Sequence, residues 1–182
     1  ELPSTYYDKY ISDMEKSEYK YEDLYVAACN MLVDNNIKIN ETIVDLGCGI
    51  GSFIKYLKEF GYRNYIGIDF SEKAIKRAKE RYPEYNFICG NLLNNKEIQE
   101  KINENKCFVS FEVLEHIEND IKVIKLLPPK SLFIFSVPNI TGHGHVRNFN
   151  NHDEVFNRYN KYLEFTKQKY TITKYGKPHH KM

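Results

Sequence analysis

The sequence has no run of the roughly 20 consecutive apolar residues that are needed to cross a bilayer. Its N-terminus also lacks the charged segment followed by an apolar one that is typical of a secretory signal peptide. We therefore expect a cytoplasmic protein that has no membrane partner.

An excess of charge of either sign is missing as well. The chain has 26 lysine and arginine residues against 25 aspartate and glutamate residues, for a formal net charge of +1. A dedicated nucleic-acid-binding protein usually presents a strongly electropositive surface, which this balance does not supply. The composition therefore favours a small-molecule partner over a nucleic acid.

Cysteines are few and widely separated, and they form no Cys-x-x-Cys pair. Most of them fall in apolar segments, as buried free thiols do in a reducing compartment. We expect no disulfide among the four cysteines, which are Cys29, Cys48, Cys89 and Cys107.

Short β-branched or aromatic segments alternate with segments of helical apolar spacing across the middle of the chain. The first helical segment, for example, has Phe53, Ile54, Leu57 and Phe60 on one face. This alternation predicts an α/β fold in which a mostly parallel sheet is flanked by helices. The five predicted strands are Thr42–Leu46, Tyr65–Ile68, Tyr85–Cys89, Cys107–Phe111 and Ser131–Val137.

The segments on either side of this core have weaker patterns. Residues 1–40 are rich in tyrosine and predict a helix around Tyr21–Val33, whose rings either pack on the sheet or line a substrate pocket as a lid. After residue 140 we expect a loop, a short helix at His152–Asn160 and an antiparallel edge strand at Tyr170–Tyr175.

The most informative segment is a glycine-rich turn that directly follows the first predicted strand. It reads Asp45-Leu46-Gly47-Cys48-Gly49-Ile50-Gly51, and a helical segment comes next. The three glycines let the backbone turn tightly and approach a ligand closely at the positive end of a helix. The segment does not match the dinucleotide pattern G-x-G-x-x-G, and no Lys-Ser or Lys-Thr pair follows it as in a P-loop.

A carboxylate ends the second predicted strand, one βα unit after the glycine-rich turn. Asp69 in this position can accept hydrogen bonds from both ribose hydroxyls of a nucleoside that lies across the edge of the sheet. Each such charge-assisted bond contributes roughly 1.5–3 kcal/mol. The turn and the carboxylate together predict a nucleoside-binding site.

These two motifs resemble those of the class I S-adenosylmethionine-dependent methyltransferases, and the resemblance extends over residues 42–139. It implies a Rossmann-like sheet of six to seven strands in the order 3-2-1-4-5-7-6, with S-adenosyl-L-methionine as the cofactor. Two strands would then follow Asn139, of which Tyr170–Tyr175 is one, and either Tyr162–Phe165 is the other or the chain stops short of the last strand. The segment Glu112-Val113-Leu114-Glu115-His116 is also similar to that of the ubiquinone-pathway O-methyltransferases and other small-molecule methyltransferases.

The resemblance implies one methyltransferase domain over residues 1–182. Residues 1–40 would form an N-terminal helical lead or lid, and residues 42–139 the cofactor-binding core. Residues 140–182 would contain the substrate loop, a short helix and the C-terminal strands.

The resemblance also assigns residues to the cofactor. Asp45 and the glycines would hold the methionine part, Asp69 the ribose, and Phe70 would border the adenine. Family members usually have an acidic residue after the third strand, but this sequence has Asn91, whose amide oxygen can accept the hydrogen bond of the adenine amine. The predicted cofactor-binding residues are Asp45, Gly47, Cys48, Gly49, Gly51, Asp69, Phe70, Asn91, Leu92, Phe111 and Glu112.

Methyl transfer requires an aligned nucleophile and, for a hydroxyl acceptor, a base. His116 and His145 are the predicted catalytic residues, because the ordinary pKa of histidine lies near neutrality. Arg147 is predicted to hold a substrate carboxylate or phosphate in a bidentate pair. Tyr7 and Asn139 complete the predicted substrate-binding residues.

Glu112, Glu115 and His116 are spaced so that a helix would bring them to one face, as in a site for a divalent metal. The pattern also resembles the metal site of the small-RNA 3′-terminal ribose methyltransferases, in which a distant histidine, His143 or His145 here, would complete the ligands. We expect no bound metal and retain this site as the alternative. In the metal-free interpretation Glu112 contacts the cofactor.

The leading hypothesis is an S-adenosylmethionine-dependent methyltransferase that acts on a hydroxyl or amine of a small metabolite. One alternative is a metal-assisted RNA 3′-terminal ribose methyltransferase. The other is a catalytically silent, cofactor-binding partner that stabilises an active methyltransferase.

Overall fold

Seven strands form one sheet in the computed structural model, which describes residues 2–166, 169–172 and 178–181. The strands are β1 (Ile43–Leu46), β2 (Tyr65–Asp69), β3 (Asn86–Cys89), β4 (Cys107–Phe111), β5 (Leu132–Pro138), β6 (Lys169–Ile172) and β7 (Pro178–Lys181). Their order across the sheet is β3-β2-β1-β4-β5-β7-β6. This topology confirms the α/β methyltransferase-type fold and the strand order that the sequence resemblance implies.

The first five strands are parallel, and β1 lies between β2 and β4. The chain passes from β1 to β2, which is the neighbour of β1 on one side, whereas β4 is its neighbour on the opposite side. At such a switch point the connections that leave the carboxyl ends of the strands diverge and open a crevice. Asp45 and the glycine-rich turn lie at this point of the sheet.

Helices cover both faces of the sheet, and each face has its own apolar core. The helices of the described residues are α1 (Ser4–Tyr7), α2 (Ile11–Ser17), α3 (Glu22–Asp34), α4 (Ile54–Glu59), α5 (Glu72–Arg81), α6 (Lys96–Glu104), α7 (Asp120–Leu126) and α8 (His152–Tyr159). Helices α3, α4 and α5 contribute to one core, and α6, α7 and α8 to the other. A helix long and apolar enough to span a membrane does not occur in the described part of the chain.

The C-terminal strands differ in part from the sequence prediction. β7 was not predicted, because Pro178–Lys181 has no apolar alternation, yet it pairs with β5 and β6 in antiparallel register. The candidate strand at Tyr162–Phe165 is a turn followed by irregular backbone. The predicted edge strand at Tyr170–Tyr175 is found as β6, and residues 173–175 lie outside the described residues.

The N-terminal lead consists of α1, α2, two short 3₁₀ segments and α3. Helix α3 confirms the predicted helix, with each end one residue later. The earlier part of the lead lies along α5, whose basic side chains recur every four residues. The ion pairs between the lead and α5 are Asp8 with Lys73, Glu15 with Arg77, and Glu18 with Arg81.

Candidate active site

The glycine-rich turn adopts a backbone that requires glycine. Gly47, Gly49 and Gly51 have φ angles of +84°, +53° and +77°, a region that other residues rarely adopt. A Cβ on Gly47 would overlap the side chain of Val113, so the turn packs tightly against the segment after β4. A Cβ on Gly49 would meet only the Met14 sulfur, at 3.9 Å. The backbone at Gly49 is therefore open to a ligand.

Asp69, at the end of β2, is bound to this turn. One carboxylate oxygen accepts the backbone N–H of Gly49 at 2.9 Å, and the other accepts that of Ser71 at 2.8 Å. Burial raises the pKa of Asp69 above its ordinary value, and the backbone donors act in the opposite direction. Because each carboxylate oxygen can accept more than one hydrogen bond, Asp69 can still accept bonds from a ligand.

A cavity of about 450 Å³ opens over the carboxyl ends of the strands. Its volume lies within the range of roughly 300–1,000 Å³ that is usual for ligand pockets. The structure brings most of the predicted site residues together in its wall. These are Tyr7, Gly47, Cys48, Gly49, Asp69, Phe70, Asn91, Leu92, Phe111, Glu112 and His116.

Two predicted cofactor residues do not line the cavity. Asp45 is 2% exposed, and one of its oxygens accepts the Tyr65 hydroxyl at 2.8 Å, while the other has no hydrogen-bond partner. Burial raises the pKa of Asp45 to about 7. Gly51 lies against Ile54 and Tyr82. Both residues therefore support the turn from the interior.

Asn91 lines the cavity, but its amide oxygen is already used. Oδ1 accepts the backbone N–H of Leu93 at 2.9 Å and so forms a local turn. Because a carbonyl oxygen has two lone pairs, Oδ1 could accept the predicted hydrogen bond from an adenine amine only in addition to the bond from Leu93.

The segment after β4 contributes two acidic residues with different surroundings. Glu112 has a φ of +58°, lines the cavity, and accepts the Ser136 hydroxyl at 2.6 Å. Glu115 is 1% exposed, and neither of its carboxyl oxygens has a hydrogen-bond partner. Burial and the nearby charge of Glu112 raise the pKa of Glu115 well above its ordinary value. The 3₁₀ turn at Leu114–His116 replaces the longer helix that the spacing suggested.

His116 connects the lead to the loop after β5. Its Nδ1 lies 3.0 Å from the carbonyl oxygen of Gly144 and 3.2 Å from the hydroxyl of Tyr7. Because a carbonyl only accepts, we assign the ring proton to Nδ1, which leaves the lone pair on Nε2. Burial lowers the pKa of His116, so the ring is neutral near pH 7.

The other predicted catalytic and substrate residues lie behind the cavity wall. His145 packs edge-on against His116, with ring centroids 4.7 Å apart. Asn139 has a buried amide oxygen with no hydrogen-bond partner. Neither residue lines the cavity.

The structure contradicts the predicted position of Arg147. Its guanidinium donates to the carbonyl oxygens of Leu114, Ile117 and Glu118, at 2.5, 2.6 and 3.0 Å. It also lies 3.3 Å from the buried carboxylate of Asp120. Arg147 therefore holds the turn that contains His116 and the segment after it, and it does not face the cavity because these carbonyl oxygens and Asp120 surround its guanidinium.

The sequence prediction missed several residues of the cavity wall. Met14, Glu18, Tyr21 and Tyr25 reach the cavity from the lead, and Val113 reaches it from the segment after β4. The clustered tyrosines were the available signal, because rings that line a pocket as a lid were one of the two interpretations. Helical spacing alone does not indicate which ring faces the cavity.

Three side chains beside the cavity could hold a metal ion. One ligand atom each of Glu115, His116 and His145 lies within 4.8 Å of the others. This group differs from the predicted set by containing His145 in place of Glu112. His143, the other histidine considered, instead packs against Tyr6, with ring centroids 5.2 Å apart.

Comparisons with known proteins agree on one family. A family model described as a methyltransferase domain matches residues 18–171. The chain is 31% identical over 87 residues to the eEF1A lysine and N-terminal methyltransferase of Homo sapiens, an alignment over 46% of the chain. It is 32% identical over 114 residues to a small RNA 2′-O-methyltransferase of Arabidopsis thaliana, over 54% of the chain. The alignments span 12% of each of these relatives.

Solved structures show the same fold at low sequence identity. One is a methyltransferase in complex with the Haloferax volcanii Trm112 methyltransferase activator, with a TM-score of 0.71 and 16% identity over 93% of this chain and 78% of that one. Another is magnesium protoporphyrin IX methyltransferase of Synechocystis PCC 6803 with bound SAH, with a TM-score of 0.67 and 17% identity over 89% and 82% of the two chains.

Proposed function

This chain belongs to the methyltransferase domain family, whose enzymes use S-adenosylmethionine, and on that premise we propose that it methylates a hydroxyl or amine of a small molecule. The observation that carries the proposal is the cavity and its position in the fold. It lies over the carboxyl ends of the strands, and the N-terminal lead forms part of its wall.

The residues of the cavity fit the cofactor. Gly49 presents backbone without a side chain, Asp69 can accept the ribose hydroxyls, and Phe70 and Leu92 provide apolar surface for the adenine. When bound, the cofactor supplies an activated methyl group on a sulfonium. The chain itself has to orient the acceptor, exclude water and, for a hydroxyl, remove a proton.

The lead restricts the size of the acceptor. Tyr7, Met14 and Tyr21 contribute to the cavity wall, and Tyr7 also contacts Phe70 with ring centroids 5.4 Å apart. A bulky or polymeric acceptor would have to displace these side chains. His116 lines the cavity beside Tyr7 and is neutral near pH 7, which supports its role as the base for a hydroxyl acceptor.

Two measurements on the purified protein test this function. Calorimetry with S-adenosylhomocysteine should give binding to the parent and at least tenfold weaker binding to Asp69→Ala, while Asp153→Ala, an exposed residue of α8, should bind as the parent does. Labelled S-adenosylmethionine should then transfer its methyl group to members of a set of small alcohols and amines. A folded protein that does not bind the product at millimolar concentration would refute the proposal.

A metal-assisted RNA ribose methyltransferase is the second candidate, and the group Glu115, His116 and His145 favours it. The unpartnered oxygens of Glu115 and the two imidazoles fit a divalent cation as donors. A cation held there would act as a Lewis acid on the ribose hydroxyls.

Calorimetry with Mg²⁺ and Mn²⁺ tests the second candidate on the parent and on Glu115→Gln. Binding that the substitution removes, together with methylation of the 3′ end of a short single-stranded RNA, would favour this function. Equal behaviour of the two proteins would eliminate it. The silent-partner hypothesis predicts cofactor binding without transfer to any acceptor, so the same transfer assay tests it.

A further inference from the structure

The first part of the lead, residues 4–17, has no apolar anchor in the core. Helices α1 and α2 and the 3₁₀ segment between them, all within the described residues, contribute no buried side chain, whereas α3 contributes six. A segment with few buried contacts opens at a lower cost in free energy than the core does. Residues 4–17 can therefore leave the sheet while α3 remains packed.

Two adjacent residues attach this part of the lead to the segments that follow two different strands. Asp8 accepts the Ser71 hydroxyl at 2.6 Å, and the Asp8 side chain is only 14% exposed. The Tyr7 hydroxyl lies 3.2 Å from Nδ1 of His116. Ser71 follows β2 and His116 follows β4, and β1 lies between these strands. Tyr7 and Asp8 therefore bridge the carboxyl edge of the sheet on both sides of the glycine-rich turn.

Ser71 connects the Asp8 contact to the predicted ribose carboxylate. Its backbone N–H donates to Asp69 at 2.8 Å, and its hydroxyl oxygen accepts the N–H of Ala74 at 3.1 Å. The hydroxyl proton is donated to Asp8, so the donor and one acceptor position of this hydroxyl are used. The contact of Asp8 is thus built on the same short segment that fixes Asp69.

The inner side of residues 4–17 belongs to the cavity wall. Tyr7 and Met14 line the cavity, and the ring centroids of Tyr7 and Phe70 are 5.4 Å apart. The Met14 sulfur would lie 3.9 Å from a Cβ on Gly49. A cofactor bound at Gly49 would contact these side chains. Binding of the cofactor and closure of this segment therefore favour each other, since such coupling is reciprocal.

A break in the helical backbone separates this segment from one that is firmly attached. Ser17, at the end of α2, has a φ of −110° and a ψ of 3°, outside the helical region. Glu18, the next residue, pairs with Arg81 at 2.5 Å and accepts the Ser52 hydroxyl at 2.5 Å. Lid motions are usually absorbed by a few backbone positions at the ends of elements. Ser17 is therefore the expected hinge.

On the basis of the proposed function, we infer that residues 4–17 form a lid of the S-adenosylmethionine site, with Ser17 as its hinge and Tyr7 and Asp8 as its latch. Closure at the start of α5 holds the lid on the cofactor side, and the same movement brings the Tyr7 hydroxyl to His116 on the acceptor side. The demethylated product then leaves faster when the latch is weakened. Tyr7 acts here as a positioning residue that links cofactor binding to the placement of His116.

Hydrogen exchange and the dissociation rate of S-adenosylhomocysteine test the lid on the full chain. Addition of S-adenosylhomocysteine should slow amide exchange across residues 4–17. Asp8→Ala should restore fast exchange across this whole range and release S-adenosylhomocysteine roughly tenfold faster in stopped-flow displacement, since a hydrogen bond to a charged group is lost. Asp13→Ala makes the same change at an exposed position of α2 and should keep the rates of the parent. Tyr7→Phe retains the ring and should change both rates in the same direction as Asp8→Ala.

The outcomes separate the lid from the function on which it rests. Equal dissociation rates for Asp8→Ala and Asp13→Ala, or exchange of residues 4–17 that does not respond to S-adenosylhomocysteine, would overturn the lid and leave methyl transfer standing. Faster release from Asp8→Ala without faster exchange of residues 4–17 would place the effect at Ser71 and would also overturn the lid. A folded parent that does not bind S-adenosylhomocysteine would instead refute the proposed function.

Discussion

Asp69 accepts the backbone N–H of Gly49 at 2.9 Å, across 20 positions of sequence. The acidic residue at the end of β2 therefore holds the turn after β1, in addition to its predicted contact with ribose. Its second oxygen binds the N–H of Ser71, whose own side chain caps α5 by accepting from Ala74. The two motifs of the sequence thus form one connected structure.

Asp69→Asn is expected to weaken the turn and the cofactor site together. The amide has one acceptor oxygen, so one of the two backbone N–H groups loses its partner, and a hydrogen bond to a charged group contributes roughly 1.5–3 kcal/mol. Urea unfolding should show a loss of about this size, and calorimetry should show weaker binding of S-adenosylhomocysteine. An unchanged unfolding midpoint would argue against the bracing role of Asp69.

Gly47→Ala is expected to destabilise the fold by two separate effects. The new Cβ would overlap Val113, and a φ of +84° is unfavourable for alanine. Overpacking usually costs about 1–3 kcal/mol, and backbone strain adds about 1–3 kcal/mol. The double variant Gly47→Ala with Val113→Ala removes the overlap but not the strain. Denaturant unfolding should show that the double variant loses less free energy of unfolding than the sum of the losses of Gly47→Ala and Val113→Ala. A loss equal to that sum would contradict the overlap.

Asp45 should make the stability of the unliganded protein depend on pH. The folded protein keeps a proton on Asp45 up to about pH 7, whereas the unfolded chain releases it near the ordinary value of 3.8. The free energy of unfolding therefore falls as the pH rises through this window, by roughly 1.4 kcal/mol per unit, and changes no further above it. Asp45→Asn should remove this slope.

The measurement for Asp45 is a series of urea unfolding curves from pH 4 to pH 8. The difference between parent and Asp45→Asn isolates this group from other titrating residues. The variant should gain stability relative to the parent as the pH rises. Parallel curves across the whole series would mean that Asp45 is ionised in the folded protein.

Asp120→Asn is expected to be among the most destabilising polar substitutions. Asp120 is fully buried, accepts two bonds from Arg158 at 2.7 Å and one from the Tyr159 hydroxyl at 2.8 Å. Although burial alone would raise it, these donors and Arg147 hold the pKa of Asp120 below its ordinary value. Removing one partner of a buried ion pair costs about 3–5 kcal/mol.

Thermal and denaturant unfolding of Asp120→Asn check this expectation. Because the cluster is buried, the loss should be nearly independent of salt. Asp153→Asn makes the same change at an exposed position and should have little effect. A loss that disappears at high salt would place the contribution of Asp120 at the surface.

The ion pair of Glu15 with Arg77, which joins the lead to α5 and has both side chains partly exposed, should be weak and sensitive to salt. Exposed pairs usually contribute about 0–1 kcal/mol each. Glu15→Lys places a second cation beside Arg77 and should accelerate proteolysis within the lead, whereas Asp13→Lys makes the same change at an exposed position. Salt near 1 M, where the Debye length is roughly 3 Å, should make the parent resemble Glu15→Lys. Equal cleavage of both variants would exclude a specific role for this pair.

The sequence alone determined the class of the fold and pointed to the candidate cofactor site. Alternating strand and helix periods specify a parallel α/β sheet, because apolar spacing reports directly which face of each element is buried. The glycines after β1 and the carboxylate at Asp69 are also local signals, since a positive φ and a strand end each restrict the residue type. The apolar spacing, the glycines and the strand-end carboxylate are all determined by residues close together in the chain, so the sequence is enough to recognise them.

Only the tertiary structure decided which side chains face the cavity. Arg147 and His116 are 31 positions apart, and the backbone carbonyls of residues 114, 117 and 118 determine that the guanidinium does not face the cavity. Tyr21 lines the same cavity as Glu112 because the lead folds back over the sheet. Such contacts depend on how separate elements pack. The pairing of β7 with β5 was also decided by the tertiary structure, because backbone hydrogen bonds between strands require no apolar pattern in the sequence.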